Sequence, residues 1–342
     1  MLKVHMFSSA TKVKGQGVGS AYAELVQLLK KHFADDIDVQ INKLGRSDIS
    51  HYHTVDFRFY LSTFLPQRGR KIGYVHFLPE TLNGSLKIPQ PFRWIFFHYL
   101  IAFYKRMDQL VVVNPSFIKD LMRYGIREDK ITYIPNFVSK ESFFELSKKE
   151  KIELRKKKGI SESKFVIVGT GQIQERKGVA DFIKLARRLP KIQFIWVGGF
   201  SFGKITDGYS ELKKVVDNPP VNLSFPGIVE RGKMNEFYNL ADVFLLPSFN
   251  ELFPMSVLEA FSCGVPVVLR DLELYNSIIA GYYLPASDVD EMKVSIEKLA
   301  EDEEKLKKLH EKAVKASKKY SEDYLAQVWY SFYKKQTEMV KR

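Results

Sequence analysis

A chain of 342 residues is long for one core and comfortable for two domains, and its 45% hydrophobic content is ordinary for globular protein. No stretch approaches the roughly 20 apolar residues of a membrane span, and the single cysteine, Cys263, excludes an internal disulfide and any multi-cysteine metal site. The formal charge of +13 asks for an anionic partner; with lysines scattered and no nucleic-acid motif, an anionic membrane surface fits better than nucleic acid, and solubility accounts for much of the rest. The opening MLKVHMFSSA has an apolar run too short for a signal peptide, so a cytoplasmic protein is expected.

In chain order, Lys3–Phe7 reads as a first strand. A turn with Gly15, Gly17 and Gly19 follows, then a helix over Ala21–Phe33 and a strand over Ile37–Ile41. This βαβ opening lets a ligand approach the backbone. A dinucleotide site would want an acid near the end of the second strand; that end reads Asn42–Lys43, which argues against NAD. Ile49–Val55 puts His51 and His53 on one strand face, where a metal pair is conceivable but packing is preferred without a third ligand. Arg68, Arg70 and Lys71 lead into a strand over Ile72–Phe77 with His76 near its end.

Leu78–Pro91 is a long loop of the kind that is usually functional or mobile. The run PFRWIFFHYLIAFYKR, with Trp94 and Phe97, reads either as a core helix behind the sheet or as an interfacial helix at headgroup level. We take Arg68, Arg70, Lys71, Trp94 and Phe97 as membrane or acceptor candidates. A strand at Leu110–Val113, a helix at Asn114–Tyr124 and a strand at Ile131–Ile134 close the first half, and the basic Lys148–Lys158 is helical in pattern.

A second βαβ unit begins at Phe165–Val168, with Gly169 to Gln172 after it and Arg176, Lys177 and Gly178 shortly beyond. Its helix is Val179–Leu189 and its second strand Gln193–Val197; Gly198–Pro219 reads as a loop region and Lys233–Asn239 as a helix. Next come a buried strand at Val243–Leu246, a turn at Pro247–Asn250 and Glu251. A helix from about Met255 to Cys263 is stopped by Gly264 and Pro266, and a strand follows at Val265–Leu269.

Ligands of open α/β sheets collect at the carboxyl ends of strands. There the N–H groups of Met255 and Ser256, at a helix start, suit a diphosphate. Glu251 in the loop and Glu259 in the helix suit a hydroxyl-rich ligand, being acceptor-only when ionised. Asp36–Asp38 precedes a strand and Asp288–Asp290 looks like a helix cap, so neither D-x-D pair is placed to hold a metal, and none is expected.

Glu251 and Glu259 with seven residues between them, followed by Ala260, Gly264, Pro266, Val267 and Val268, resemble the E-x7-E signature of retaining glycosyltransferases of family 4. The resemblance implies a GT-B fold: two Rossmann-like α/β domains with parallel sheets facing a cleft, and a final helix crossing back to the first. It implies an acceptor and membrane-side domain over 1–145 plus helix 320–342, and a nucleotide-sugar domain over 146–319. It implies that Glu251 contacts the donor sugar, Glu259 the ribose and Lys177 the diphosphate, that Gly17 and Gly19 at the first turn are donor-binding, close to the donor phosphate and the acceptor, and that His76 lies beside the reacting carbon. The chain departs from the pattern at Leu252, Pro254 and Phe137. It also has Gln172 where the family places an arginine, a charge that Arg176 is positioned to replace.

The segments SSATKVKGQGVGSAY, GQIQERKG and ELFPM resemble the diacylglycerol and glucosyldiacylglycerol glycosyltransferases of low-GC Gram-positive bacteria and mollicutes. The expectation is a metal-independent transferase without a cofactor. UDP-glucose or UDP-galactose would be its donor substrate and a lipid its acceptor, at the inner face of the plasma membrane. The alternatives are an envelope polysaccharide glycosyltransferase, an epimerase of the same fold, and a non-catalytic nucleotide-sugar or membrane-binding module. Nothing in the sequence specifies an oligomeric state.

Overall fold

The computed structural model describes residues 1–10, 17–79, 90–201, 203, 208–251 and 253–339. Gly15, Leu252 and most of the Leu78–Pro91 loop lie outside them. The described residues form two compact units. Val138–Ser321 make one, and the residues up to Phe137 together with those from Glu322 onward make the other.

In the first unit β1 (Leu2–Phe7), β2 (Ile37–Ile41), β3 (Ile49–Tyr52), β4 (Arg70–Val75), β5 (Gln109–Val112) and β6 (Ile131–Tyr133) build a parallel sheet ordered β2-β1-β3-β4-β5-β6. The chain steps from β1 to β2 on one side, then crosses to β3 on the other, so the sheet has its switch point between β1 and β3. Asn42, at φ 52, ends β2 in the left-handed region and pins the end of β1. Its Oδ1 accepts from Ser8 N at 3.0 Å and its Nδ2 donates to Ser8 O at 2.9 Å. The helix Glu322–Glu338 belongs to this unit, and Trp329, Phe332 and Tyr333 are buried on its packing face. Tyr330 stacks on Phe33 at 4.4 Å, and buried Trp329 lies 5.6 Å from the His51 ring.

The second unit repeats the plan. β7 (Val166–Thr170), β8 (Gln193–Val197), β9 (Leu223–Gly227), β10 (Val243–Leu246), β11 (Val267–Arg270) and β12 (Leu284–Ala286) form a parallel sheet ordered β12-β11-β10-β7-β8-β9. Its switch point lies between β7 and β10. The central strands β7, β10 and β11 are buried throughout, as continuous apolar runs covered on both faces should be. Two edge strands were not apparent from sequence. β9 contains Pro226 and β12 contains Pro285, and proline is tolerated at sheet edges where no ladder N–H is required. The helices Phe57–Ser62 and Tyr209–Asp217 are likewise additions to the sequence reading.

Candidate active site

At the second sheet's switch point, the loop after β7 is stitched to the loop after β10. Gly178 sits at φ 68, and a Cβ there would lie 2.1 Å from Pro247 O, so only glycine allows this approach. Phe249 N donates to Arg176 O at 2.9 Å. Arg270, at the end of β11, braces the second loop. Its Nε donates to Pro247 O at 3.0 Å, its Nη2 pairs with Asp181 Oδ2 at 2.5 Å, and its guanidinium lies 3.9 Å above the Phe249 ring.

That stitching delivers the ion pair at the centre of the site. Lys177 Nζ lies 2.5 Å from Glu251 Oε1, and Arg176 Nη1 donates to Asn250 O at 2.5 Å while standing 4.0 Å from Glu251 Oε2. Glu251 is only 6% exposed. Burial favours its neutral carboxyl, but Lys177 and then Arg176 outweigh this and hold it below the ordinary carboxylate range. Burial lowers the Lys177 ammonium; Glu251 offsets part of that effect and Arg176 adds to it. Two cations thus surround one carboxylate, leaving positive charge for an anionic ligand. Gln172 is half-buried in the loop that carries both cations.

The helix Met255–Ser262 starts just beyond. Pro254 at its cap offers no side-chain bond, so no side chain caps the N–H groups of its first turn, to which Met255 and Ser256 belong. Glu259 is buried on this helix. Arg231 Nη1 donates to its Oε1 at 2.7 Å and Tyr238 OH to its Oε2 at 2.5 Å. The chemistry available at this edge is anion capture by cations and backbone amides, together with acceptance of hydroxyl protons by Glu251.

In the first unit Gly17 and Gly19 lie in the first turn of the helix Gly17–His32. His76 follows β4 and is buried, its Nε2 3.4 Å from His53 Nδ1, and His51 Nδ1 is 2.8 Å from Tyr333 OH.

Residues 150–316 match the family model described as "Glycosyl transferases group 1", and residues 16–142 match "Glycosyltransferase Family 4". Over 339 residues the chain is 53% identical to the alpha-galactosylglucosyldiacylglycerol synthase of Streptococcus pneumoniae, covering 99% of this chain and 91% of that one. The chain belongs to the group 1 and family 4 glycosyltransferases. This glycosyltransferase is also 35% identical over 129 residues to the processive diacylglycerol alpha-glucosyltransferase of Acholeplasma laidlawii, covering 37% of this chain and 38% of that one. Its fold matches that of Anabaena Alr3699/HepE, solved in complex with UDP and glucose. The TM-score is 0.78 at 16% identity, over 97% of this chain and 99% of the other.

The basic cluster expected at a membrane is placed otherwise. Arg68 is 1% exposed, its guanidinium 5.5 Å from the Phe7 ring, and so is not available to a lipid surface. Arg70 donates to Gln336 Oε1 at 2.9 Å, and Lys71 pairs with Asp108 at 3.0 Å, so both are engaged within the first unit. Trp94 is 63% exposed, whereas Phe97 is half-buried beneath Arg93. Arg231 and Tyr238 were missed from sequence. Each meets its partner only through tertiary packing, and no local pattern marks them.

The glycosyltransferase carries an acid-labile cluster in His51, His53 and His76. Burial pushes His51 and His76 down to about 3 and His53 well below its ordinary value, with neighbouring histidines adding to the effect at His51 and His53. The unfolded rings take protons as pH falls through about 6.5, while the folded rings stay neutral. Each histidine therefore removes up to ~1.4 kcal/mol of stability per pH unit below that point. Urea midpoints should fall steadily from pH 6.5 to 5, and less steeply in His53→Asn. An equal slope in that variant contradicts the assignment.

Proposed function

We propose that the chain is a retaining, metal-independent hexosyltransferase that moves glucose or galactose from a UDP-sugar to a membrane lipid, diacylglycerol or glucosyldiacylglycerol. The observation that carries this reading is the Lys177–Glu251 pair with Arg176 beside it, at a switch point next to an uncapped helix start. The C1–O bond to the diphosphate breaks as Lys177, Arg176 and the Met255 and Ser256 amides take up the developing charge. The acceptor oxygen bonds C1 with configuration kept, and its proton leaves with UDP. Glu251 orients the hexose by accepting from its hydroxyls, and Glu259, steadied by Arg231 and Tyr238, takes the ribose. In the first unit, Gly17 and Gly19 let the donor phosphate and the acceptor come close to the backbone. His76, neutral at working pH, acts there by hydrogen bonding and not by charge. The pneumococcal relative's printed name supports the lipid acceptor, and the UDP and glucose held by the Anabaena protein support the donor.

Peripheral attachment to the cytoplasmic leaflet fits the first unit's surface. No described helix is long and apolar enough to cross a membrane. Phe57, Leu61 and Phe64 are exposed, as are Phe92, Trp94 and Ile95 on the helix Gln90–Lys105. Ring contacts of Tyr99 with Phe57 at 6.3 Å and with Tyr60 at 5.5 Å join the two groups, and Arg106 lies 4.2 Å above Phe64. Aromatic and aliphatic side chains beside arginines are the make-up of an interfacial surface. Trp94→Ala with Ile95→Ala should weaken binding to anionic vesicles about tenfold, as the loss of ~1.4 kcal/mol requires. Unchanged vesicle binding removes this face from the account.

The function is tested by incubating the chain with labelled UDP-glucose or UDP-galactose and vesicles of diacylglycerol or glucosyldiacylglycerol. A labelled glycolipid is expected, with little transfer to soluble sugars. Equal transfer to a soluble sugar, indifferent to vesicles, defeats the lipid assignment.

A further inference from the structure

Polar groups of the second unit without a hydrogen-bond partner among the described residues include the Tyr275 hydroxyl, the Arg176 Nε, the Ser248 Oγ and both ends of the Gln174 side-chain amide. Gln174 and Tyr275 are 0% exposed. Buried polar groups are nearly always paired, because an unmade bond costs the desolvation of the group. Such groups gathered on the loops after β7, β10 and β11 call for a partner of the kind a ligand supplies.

Tyr275 is the most informative of them. It sits in the turn Glu273–Ser277 that follows β11, the strand bonded to β10, whose own loop carries Glu251. Its ring is fixed edge-on against Tyr283 at 5.6 Å, and Ile279 N donates to its carbonyl at 2.8 Å, so the hydroxyl is held without a partner by a rigid frame. Phenylalanine would pack there without the orphaned oxygen. Burial first, and then the Glu251 charge, push the Tyr275 phenol well above its ordinary range, so it is a neutral O–H. Glu251 offers only acceptors, whereas the phenol both donates and accepts.

We propose that Tyr275 is a donor-sugar recognition residue. Its hydroxyl meets one hexose hydroxyl while Glu251 meets another, and the pair sets the choice between epimeric hexoses. This rests on the reading of the site as one for a UDP-hexose. A site built to pair a sugar hydroxyl rejects the epimer that lacks it in place, because a buried group is then left unpaired.

The test uses the full chain and its Tyr275→Phe variant, with UDP-glucose, UDP-galactose and their monodeoxy analogues at saturating lipid acceptor. UDP inhibition and thermal midpoint are measured alongside. The variant should lose 10–100-fold in kcat/KM for the hexose the wild type prefers. UDP inhibition should stay within twofold and the midpoint should not fall. The deoxy donor lacking the hydroxyl that Tyr275 meets should cost the wild type as much as the substitution does, and cost the variant little more. Rates within twofold of wild type for both hexoses overturn the proposal, as does an equal loss in UDP affinity. Should the variant fold poorly, the wild type decides: two different hexose hydroxyls must each matter tenfold or more, and a single sensitive one overturns the assignment. A wild type that turns over neither UDP-hexose removes the donor reading itself, whereas wild-type turnover with an unaffected variant removes only Tyr275.

Discussion

Replacing Glu251 by glutamine should lower hexose transfer by about 10²–10³-fold, the range seen when one charge-orienting contact to a transition state is lost. The side chain keeps its shape and one acceptor oxygen, so the loss reports charge more than volume. The same change leaves Lys177 and Arg176 facing a neutral amide inside a buried site. Removing one partner of a buried pair costs on the order of 3–5 kcal/mol, so the urea midpoint should fall as well. Initial rates at saturating donor separate the two effects, because a merely destabilised enzyme keeps its kcat per folded molecule. A kcat within threefold of wild type for folded Glu251→Gln removes Glu251 from the reaction.

Lys177→Met should be the companion loss. Its ammonium is the cation closest to Glu251, and on this account it neutralises the departing diphosphate, so kcat should fall about 10³-fold. Donor affinity should fall with it. The variant also strips Glu251 of the larger of its two stabilising charges, leaving Arg176 at 4.0 Å. Its carboxyl then protonates more readily. The residual activity should therefore decline at a higher pH on the acid side than wild-type activity does. In the double variant Glu251→Gln with Lys177→Met the stability losses should not add, since only Arg176, the more distant cation at 4.0 Å, is left facing a missing partner. Simple additivity of the midpoints shows that the pair is not coupled.

Much of this site was legible in the linear chain because its parts are local. The run Val243–Leu246, the acidic turn, the helix start and the strand through Leu269 follow one another without interruption, and their polarity pattern reads as strand, loop, helix, strand. Other features depend on packing that no local pattern encodes. Arg231 reaches Glu259 across 28 residues, and Arg270 reaches Asp181 across 89. The side chain of Arg68 folds inward over Phe7, so a basic run that reads as surface contains a buried cation. The pair His51 and His53 reads as packing for want of a third ligand, but what it packs against, Tyr333 and Trp329 of the last helix, shows only in the fold. Edge strands with proline and a six-residue helix carry too little periodicity to be found at all.

Where an activated sugar binds is decided most directly by a crystal structure with UDP-hexose. The diphosphate should lie against Lys177, Arg176 and the first turn of the Met255–Ser262 helix, with hexose hydroxyls within hydrogen-bond distance of Glu251. Electron density for the nucleotide sugar away from that edge of the second sheet, with the Lys177–Glu251 pair untouched, would contradict it.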